Sequence, residues 1–367
     1  MRIAKKLIAA ALVCTLTLTG CGVSVDSGDE DYPVKVTNNY KAGENGEVYV
    51  FNWGEYIDER VIDSFEKETG IKVIYNEFEE NEDMYPIIAS GAQKYDVVCP
   101  SDFMVEKMIG EGMLEPLDKD KIPNLSNIGA SYLEAAEEFD PGNLYCVPYT
   151  WGTIGIIYNT KMIDEPITSW ASIFDEKYKG NLLMLDSVRA AFMSALVYLG
   201  YSENSKNEDE IKAAADLLSS QHDIVQAYVV DQLRDKMISG EASIGVTYSG
   251  EVLYMTRQNP DLAYVVPDEG SAIWMDGWVI PKNCNNKENA EAWIDFMCRA
   301  DVALANFNYI TYSTPNTAAQ ALIDDDTKNN EAIFPSDDVL KRCEILQYLG
   351  QETEDEYMNL WSSVKAE

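Results

Sequence analysis

From Glu47 onward the chain alternates β-type runs with helical ones, and that alternation restricts the fold more than any other feature. EVYVFN (47–52) reads as a strand; Ile57, Val61, Ile62 and Phe65 then recur at helical spacing until Thr69-Gly70 ends the turn. IKVIYNEF is a second strand, a helix is expected over Asp83–Ser90, YDVVCP is a third strand, and Phe103–Gly110 is helical again. Strands alternating with helices of this length imply an α/β fold, with a parallel sheet covered on both faces. Ligand sites of such sheets lie beyond the carboxyl ends of the strands.

The segment LYCVPYTWGTIGIIYNT reads as two strands crossing between lobes, and a second alternating set follows. LLMLD is a strand, Val188–Tyr198 and Glu208–Ser219 are helices, and IVQAYVV and ASIGVTYSG are strands. A last strand pair is expected at Ala263–Val266 and Ala272–Ile280. Helices are expected near Ala290–Arg299, Val302–Phe307, Asp337–Gln347 and Glu354–Val364.

Arg2, Lys5 and Lys6, the apolar run LIAAALVCTLTL and Leu18-Thr19-Gly20-Cys21 have the form of a secretory signal peptide over residues 1–20. The ending resembles a bacterial lipobox, which implies cleavage before Cys21 and a lipid on that cysteine. The apolar core is too short for a permanent span. Residues 21–46 are polar and acidic, a lipidated tether. The leader removes three basic residues and no acid, so 25 basic residues face 63 acidic ones, a mature balance of −38. Nucleic acid is excluded as a partner by that charge, and cations are attracted. Cys99, Cys146, Cys284, Cys298 and Cys343 lack metal-ligand spacing and read as small buried hydrophobes, although a disulfide among them stays open. His222, the single histidine, stands far from any serine motif. No catalytic residue, metal site or cofactor is expected.

Acids recur beside aromatic residues at the expected strand ends: Glu55 by Trp53 and Tyr56, Asp102 by Phe103, Glu251 by Tyr248, and Asp276 between Trp274 and Trp278. An unpaired buried carboxylate costs several kcal/mol, so one kept among rings calls for a cation or a set of donors. For Asp276 the alternative is a turn residue bonding its own backbone, since Asp-Gly is a common turn dipeptide. Carboxylates neutralise an ammonium, and ring faces attract the cation for ~0.5 to 2 kcal/mol each. Together the pairs point to a flexible polycation rather than a sugar.

The stretches Phe51-Asn52-Trp53-Gly54-Glu55-Tyr56, EKETGIKVIYNEFEENEDMY, YDVVCPSDFMVEKM, LYCVPYTWGTIGIIYN, SWASIFDEKYKG, AIWMDGWVIP and Tyr312-Ser313-Thr314-Pro315-Asn316 resemble the substrate-binding proteins of spermidine/putrescine ABC transporters. The resemblance covers about residues 47 to 367. It implies a type II periplasmic-binding-protein fold, two α/β lobes with a hinge and an interlobe cleft. Lobe one would be 47–152 plus 277–317 and lobe two 153–276 plus 318–367. The resemblance makes Trp53 and Tyr56 wall and donor, Ser101 and Phe103 a first-lobe lining, Trp274 a stacking ring, and Asp276 the acid that pairs an amine. Tyr248 stands where the family often has tryptophan, Tyr312 matches a tyrosine that lines the pocket, and Glu55 and Glu251 match acids of the putrescine-preferring branch. Where spermidine-preferring relatives carry acids this chain has Ala190 and Ser187, with Asp186 nearby, and the family's pocket glutamine falls on Leu346, with Gln347 one step away. The implied partners are a polyamine, the ABC permease subunits and, through Cys21, the outer face of the cytoplasmic membrane. The chain is expected to be a monomer. A glycosidase-type enzyme with paired carboxylates, a binding protein for another solute and a protein-contacting lipoprotein remain the alternatives.

Overall fold

The computed structural model describes Val34, Lys41 and residues 43–366; the expected leader, Cys21 and most of the tether lie outside them. Strand β1 (Glu47–Trp53) turns Val48 and Val50 fully inward and pairs in parallel with β2 (Lys72–Phe78) across helix α1 (Glu59–Thr69). Asp58 caps α1 by accepting from the Arg60 N–H, and Gly70 ends it in the left-handed region at φ 70°. Helix α2 (Asn81–Ser90) leads to β3 (Val97–Val98), which is parallel to β1 on its other side. Helix α3 (Asp102–Gly110), β4 (Leu114–Glu115) and α4 (Ala130–Ala136) follow.

Then comes β5 (Cys146–Asn159), one strand where the sequence suggests two. Its glycines mark close approaches, not a break. A Cβ on Gly152 would lie 2.6 Å from Ser249 Oγ and from the Trp274 ring, and one on Gly155 would lie 2.5 Å from the Val265 carbonyl oxygen.

The second set is β6 (Leu182–Leu185), α5 (Val188–Tyr198), α6 (Glu208–Ser220), β7 (Val225–Val229), α7 (Gln232–Ser239), β8 (Ile244–Tyr248), α8 (Ser249–Gln258) and β9 (Leu262–Val265). Strand β10 (Ala272–Pro281) returns antiparallel to β5. The described strands run β2-β1-β3-β10-β5-β8-β6-β7, with β9 on β5 and β4 on β10. The expected parallel sheet is therefore two parallel sets joined through the antiparallel strands β10 and β5.

Helices α9 (Lys287–Met297) and α10 (Ala300–Ile310) precede the one-turn helices α11 (Thr317–Gln320), α12 (Asp325–Lys328) and α13 (Asp337–Leu340). The helix expected over Asp337–Gln347 stops after that turn, because β11 (Glu344–Ile345) pairs with β10 and buries Ile345. Helix α14 (Gln351–Ala366) follows.

Trp170, Phe192 and Tyr357 belong to the core of the second lobe. The first lobe has a core on each sheet face, one around Phe65, Trp278 and Trp293, the other around Phe51, Met84 and Phe139. Each such buried side chain contributes about 1.5–3 kcal/mol. Phe103 and Tyr312 pack against cores of both lobes, which marks where the lobes meet. The five described cysteines are free thiols, and Cys99, Cys146 and Cys298 are buried as small hydrophobes.

Candidate functional site

Asp276 is a strand residue, and the turn alternative falls away. It pairs with Thr150 on β5 and bridges to Ser101, with the register shifting between Asp276 and Gly277. Its carboxylate is 6 % exposed and accepts from the Tyr56 hydroxyl at 2.7 Å. The same phenol lies 2.6 Å from Thr150 Oγ1, so with its own proton on Asp276 it accepts from the threonine. Burial pushes the Asp276 carboxyl up to about 7, while the Tyr56 and Ser101 hydroxyls pull it partway back. Asp276 makes no ion pair with a described residue.

Rings enclose this acid. Tyr312 meets Tyr56 edge-on at 5.4 Å and Trp274 at 5.3 Å, and Trp274 meets Tyr248 at 5.9 Å. Trp53 closes the first-lobe side, 6.5 Å from Tyr56. Local backbone choices hold Tyr312 in place. Thr311 ends α10 at φ 62° and donates its hydroxyl to the Gly250 carbonyl, and Gly250 leaves the space that the Tyr312 ring fills.

A second acid repeats the arrangement. Glu251, in the first turn of α8, accepts from the Tyr312 hydroxyl at 2.6 Å. It is already paired: Arg234 of α7 donates to it through both Nε and Nη2, the latter at 2.8 Å. Arg234 Nη1 also reaches Glu55 Oε2 at 3.6 Å, so its guanidinium links the two lobes.

The remaining sequence candidates divide. Ser101 bridges to Asp276, and Phe103 lies between the lobes. Asp102 is fully buried, its two oxygens accepting from the Phe103 and Met275 N–H groups, so it ties α3 to β10. Asp186 is held by Lys365 at 2.7 Å and by the Trp361 indole at 3.3 Å. Ala190 is 1 % exposed in the second-lobe core, capped within its helix by Ser187, and Leu346 is buried there as well.

Sequence reading passed over Thr150, Arg234 and Glu80. Thr150 sits in an apolar strand without an acid beside it, although its register with Asp276 is strand pairing that a hydrophobic pattern can suggest. Glu80 is exposed by area, yet the surrounding protein and the charges of Glu82, Asp83 and Asp186 push its carboxyl up to about 7. Beside Glu55 a cavity of about 440 Å³ is lined by Glu55, Glu59, Asp63, Glu77, Tyr75 and Tyr309. Both features make the surroundings negative and favour cations.

Two α/β lobes joined by long antiparallel strands, with acids and rings gathered where they meet, define a two-lobed solute-binding protein. The chain belongs to the bacterial extracellular solute-binding protein family, whose model matches residues 60–335. It is a binding component and not an enzyme. It is 38% identical over 307 residues to the spermidine/putrescine-binding periplasmic protein of Escherichia coli K12, covering 83% of this chain and 87% of that one. The putrescine-binding periplasmic protein SpuD of Pseudomonas aeruginosa is 30% identical over 344 residues, covering 89% and 94%. Among solved structures, the spermidine/putrescine ABC transporter substrate-binding protein PotD of Streptococcus pneumoniae superposes with a TM-score of 0.78 at 38% identity, covering 88% and 99%.

Proposed function

We propose that this chain captures a linear polyamine, putrescine or spermidine, outside the cytoplasmic membrane and delivers it to the permease subunits of an ABC transporter. The observation that carries this reading is Asp276: a buried carboxylate addressed by the Tyr56 and Ser101 hydroxyls, from which a series of touching rings runs through Tyr56, Tyr312 and Trp274, with no built-in cation among the described residues. An ammonium supplies the missing charge, and its polarised methylenes fit ring faces. The names of the relatives support the same ligand class. Trp53, Ser101, Phe103 and Tyr248 complete the lining, whereas Asp102 positions the strand that carries Asp276. In this reading the lobes are 47–152 plus 277–317 and 153–276 plus 318–367, closing on the ligand as hinged bodies. A lipid on Cys21 tethers a monomer to the membrane.

Protein stripped of carried-over ligand by dialysis from denaturant is titrated calorimetrically with putrescine and spermidine. One site per chain is expected, with a raised melting temperature because ligand binds the folded state. Silence in both measurements overturns the reading.

Binding should also depend on pH. A bound ammonium favours the ionised acid, so below pH 7 the Asp276 carboxyl must release a proton to bind. Affinity is expected to fall about tenfold from pH 8 to pH 6, the loss for a group titrating near 7. A flat profile across that range would show that another group carries the charge.

A further inference from the structure

The two carboxylates behind the tyrosine pair are treated differently by the protein. Tyr56 and Tyr312 stand edge to face at 5.4 Å, and each gives its hydroxyl proton to one acid, Tyr56 to Asp276 and Tyr312 to Glu251. Asp276 makes no ion pair with a described residue, whereas Glu251 holds the guanidinium of Arg234 in a two-pronged pair. The side chains of Glu251 and Arg234 are 10% and 28% exposed, so water screens this pair far less than a surface pair. Arg234 lies over the Tyr254 ring at 5.4 Å and reaches Glu55 across the lobes.

We propose that Arg234 is a specificity-determining residue: a built-in countercation that takes Glu251 away from the ligand, so that one ammonium docks on Asp276 and the other end of the ligand meets a neutralised acid. This rests on the polyamine reading above and revises what Glu251 contributes to it. A planar fork bonded to both carboxylate oxygens leaves an incoming amine little to gain there. Removing the guanidinium would leave a buried acid, bonded by one hydroxyl, beside the ring cage. A diamine then offers the missing charge with its second ammonium; a monoamine has none to offer.

The test compares Arg234→Gln and Arg234→Gln/Glu251→Gln with the parent, titrating putrescine and, as the one-charge probe, butylamine. Arg234→Gln is expected to bind putrescine about tenfold tighter or more, as couplings between close, desolvated charges allow, with butylamine unchanged. The double variant removes acid and base together and is expected to stay within about threefold of the parent, since the pair contributes little net charge. An Arg234→Gln affinity for putrescine equal to or weaker than the parent's overturns the proposal, as does an equal gain for butylamine. A double variant tenfold weaker than the parent also overturns it, because Glu251 would then be serving the ligand directly. Should Arg234→Gln fail to fold, the double variant, which buries no lone charge at this position, still decides. If the parent binds putrescine but its variants do not differ, only this proposal falls; if the parent binds no polyamine, the functional reading falls with it.

Discussion

Replacing Asp276 by asparagine is expected to weaken polyamine binding by about two orders of magnitude or more and, at pH 8, to make the ligand-free protein more stable. Removing one partner of a desolvated ion pair costs on the order of 3 to 5 kcal/mol, whereas an exposed pair is worth about 1 or less. Asp276 is 6 % exposed, so the larger range applies to its contact with an ammonium. The gain in stability comes from the same burial. The carboxyl titrates near 7 in the folded protein and at about 3.9 in an unfolded chain, so the folded state holds the proton more tightly. Stability is lost as the pH rises from about 4 to about 7, and the full penalty persists above that window. Asparagine carries no charge to desolvate and still presents an oxygen to the Tyr56 hydroxyl. Thermal melting of the stripped variant at pH 8 should therefore run a few degrees above the parent, while its calorimetric affinity collapses. A variant that binds within a few-fold of the parent would remove Asp276 from the ligand contacts; one that melts lower would show that its charge is compensated in the free protein.

The ends of strands were legible in the sequence because hydrophobic runs stop there and aromatic-acid pairs begin. Tyr56, Tyr248, Trp274 and Asp276 do converge. Sequence adjacency reports which elements end together, but it carries little information on where a carboxylate points. Asp102 neighbours Phe103, yet its side chain bonds the backbone of Met275 on β10. Asp186 follows a strand, yet Lys365 of the last helix claims it. Arg234 belongs to no motif, and only the placement of α7 beside α8 brings its guanidinium to Glu251. Asp276 shows the opposite limit. Asp-Gly is locally a turn dipeptide, and its place in a continuous strand comes from pairing with β5, more than a hundred residues earlier.

Gly250→Ala is expected to abolish tight binding through Tyr312, a residue sixty-two positions away in the chain. A Cβ built on Gly250 falls 1.6 Å from Tyr312 Cδ1 and 2.0 Å from Cε1, inside the body of a ring that cannot bend aside. The ring is also held where it is: Thr311 is tied to the Gly250 carbonyl, the hydroxyl is on Glu251, and Tyr56 and Trp274 stand on its flanks. Either the ring leaves or the start of α8 shifts, and both disturb the wall facing Asp276. Overpacking of this kind costs about 1–3 kcal/mol of stability, and loss of a stacking ring together with displacement of the wall facing Asp276 weakens the ligand by about a hundredfold or more. The companion variant Gly250→Ala/Tyr312→Ala separates the two effects, because removing the ring removes the clash. Its melting temperature should recover toward that of Tyr312→Ala alone, while its affinity for putrescine stays low. A Gly250→Ala protein that binds putrescine within a few-fold of the parent would mean that Tyr312 can move without cost to the site. A double variant no more stable than Gly250→Ala would place the strain in α8 instead of in the ring.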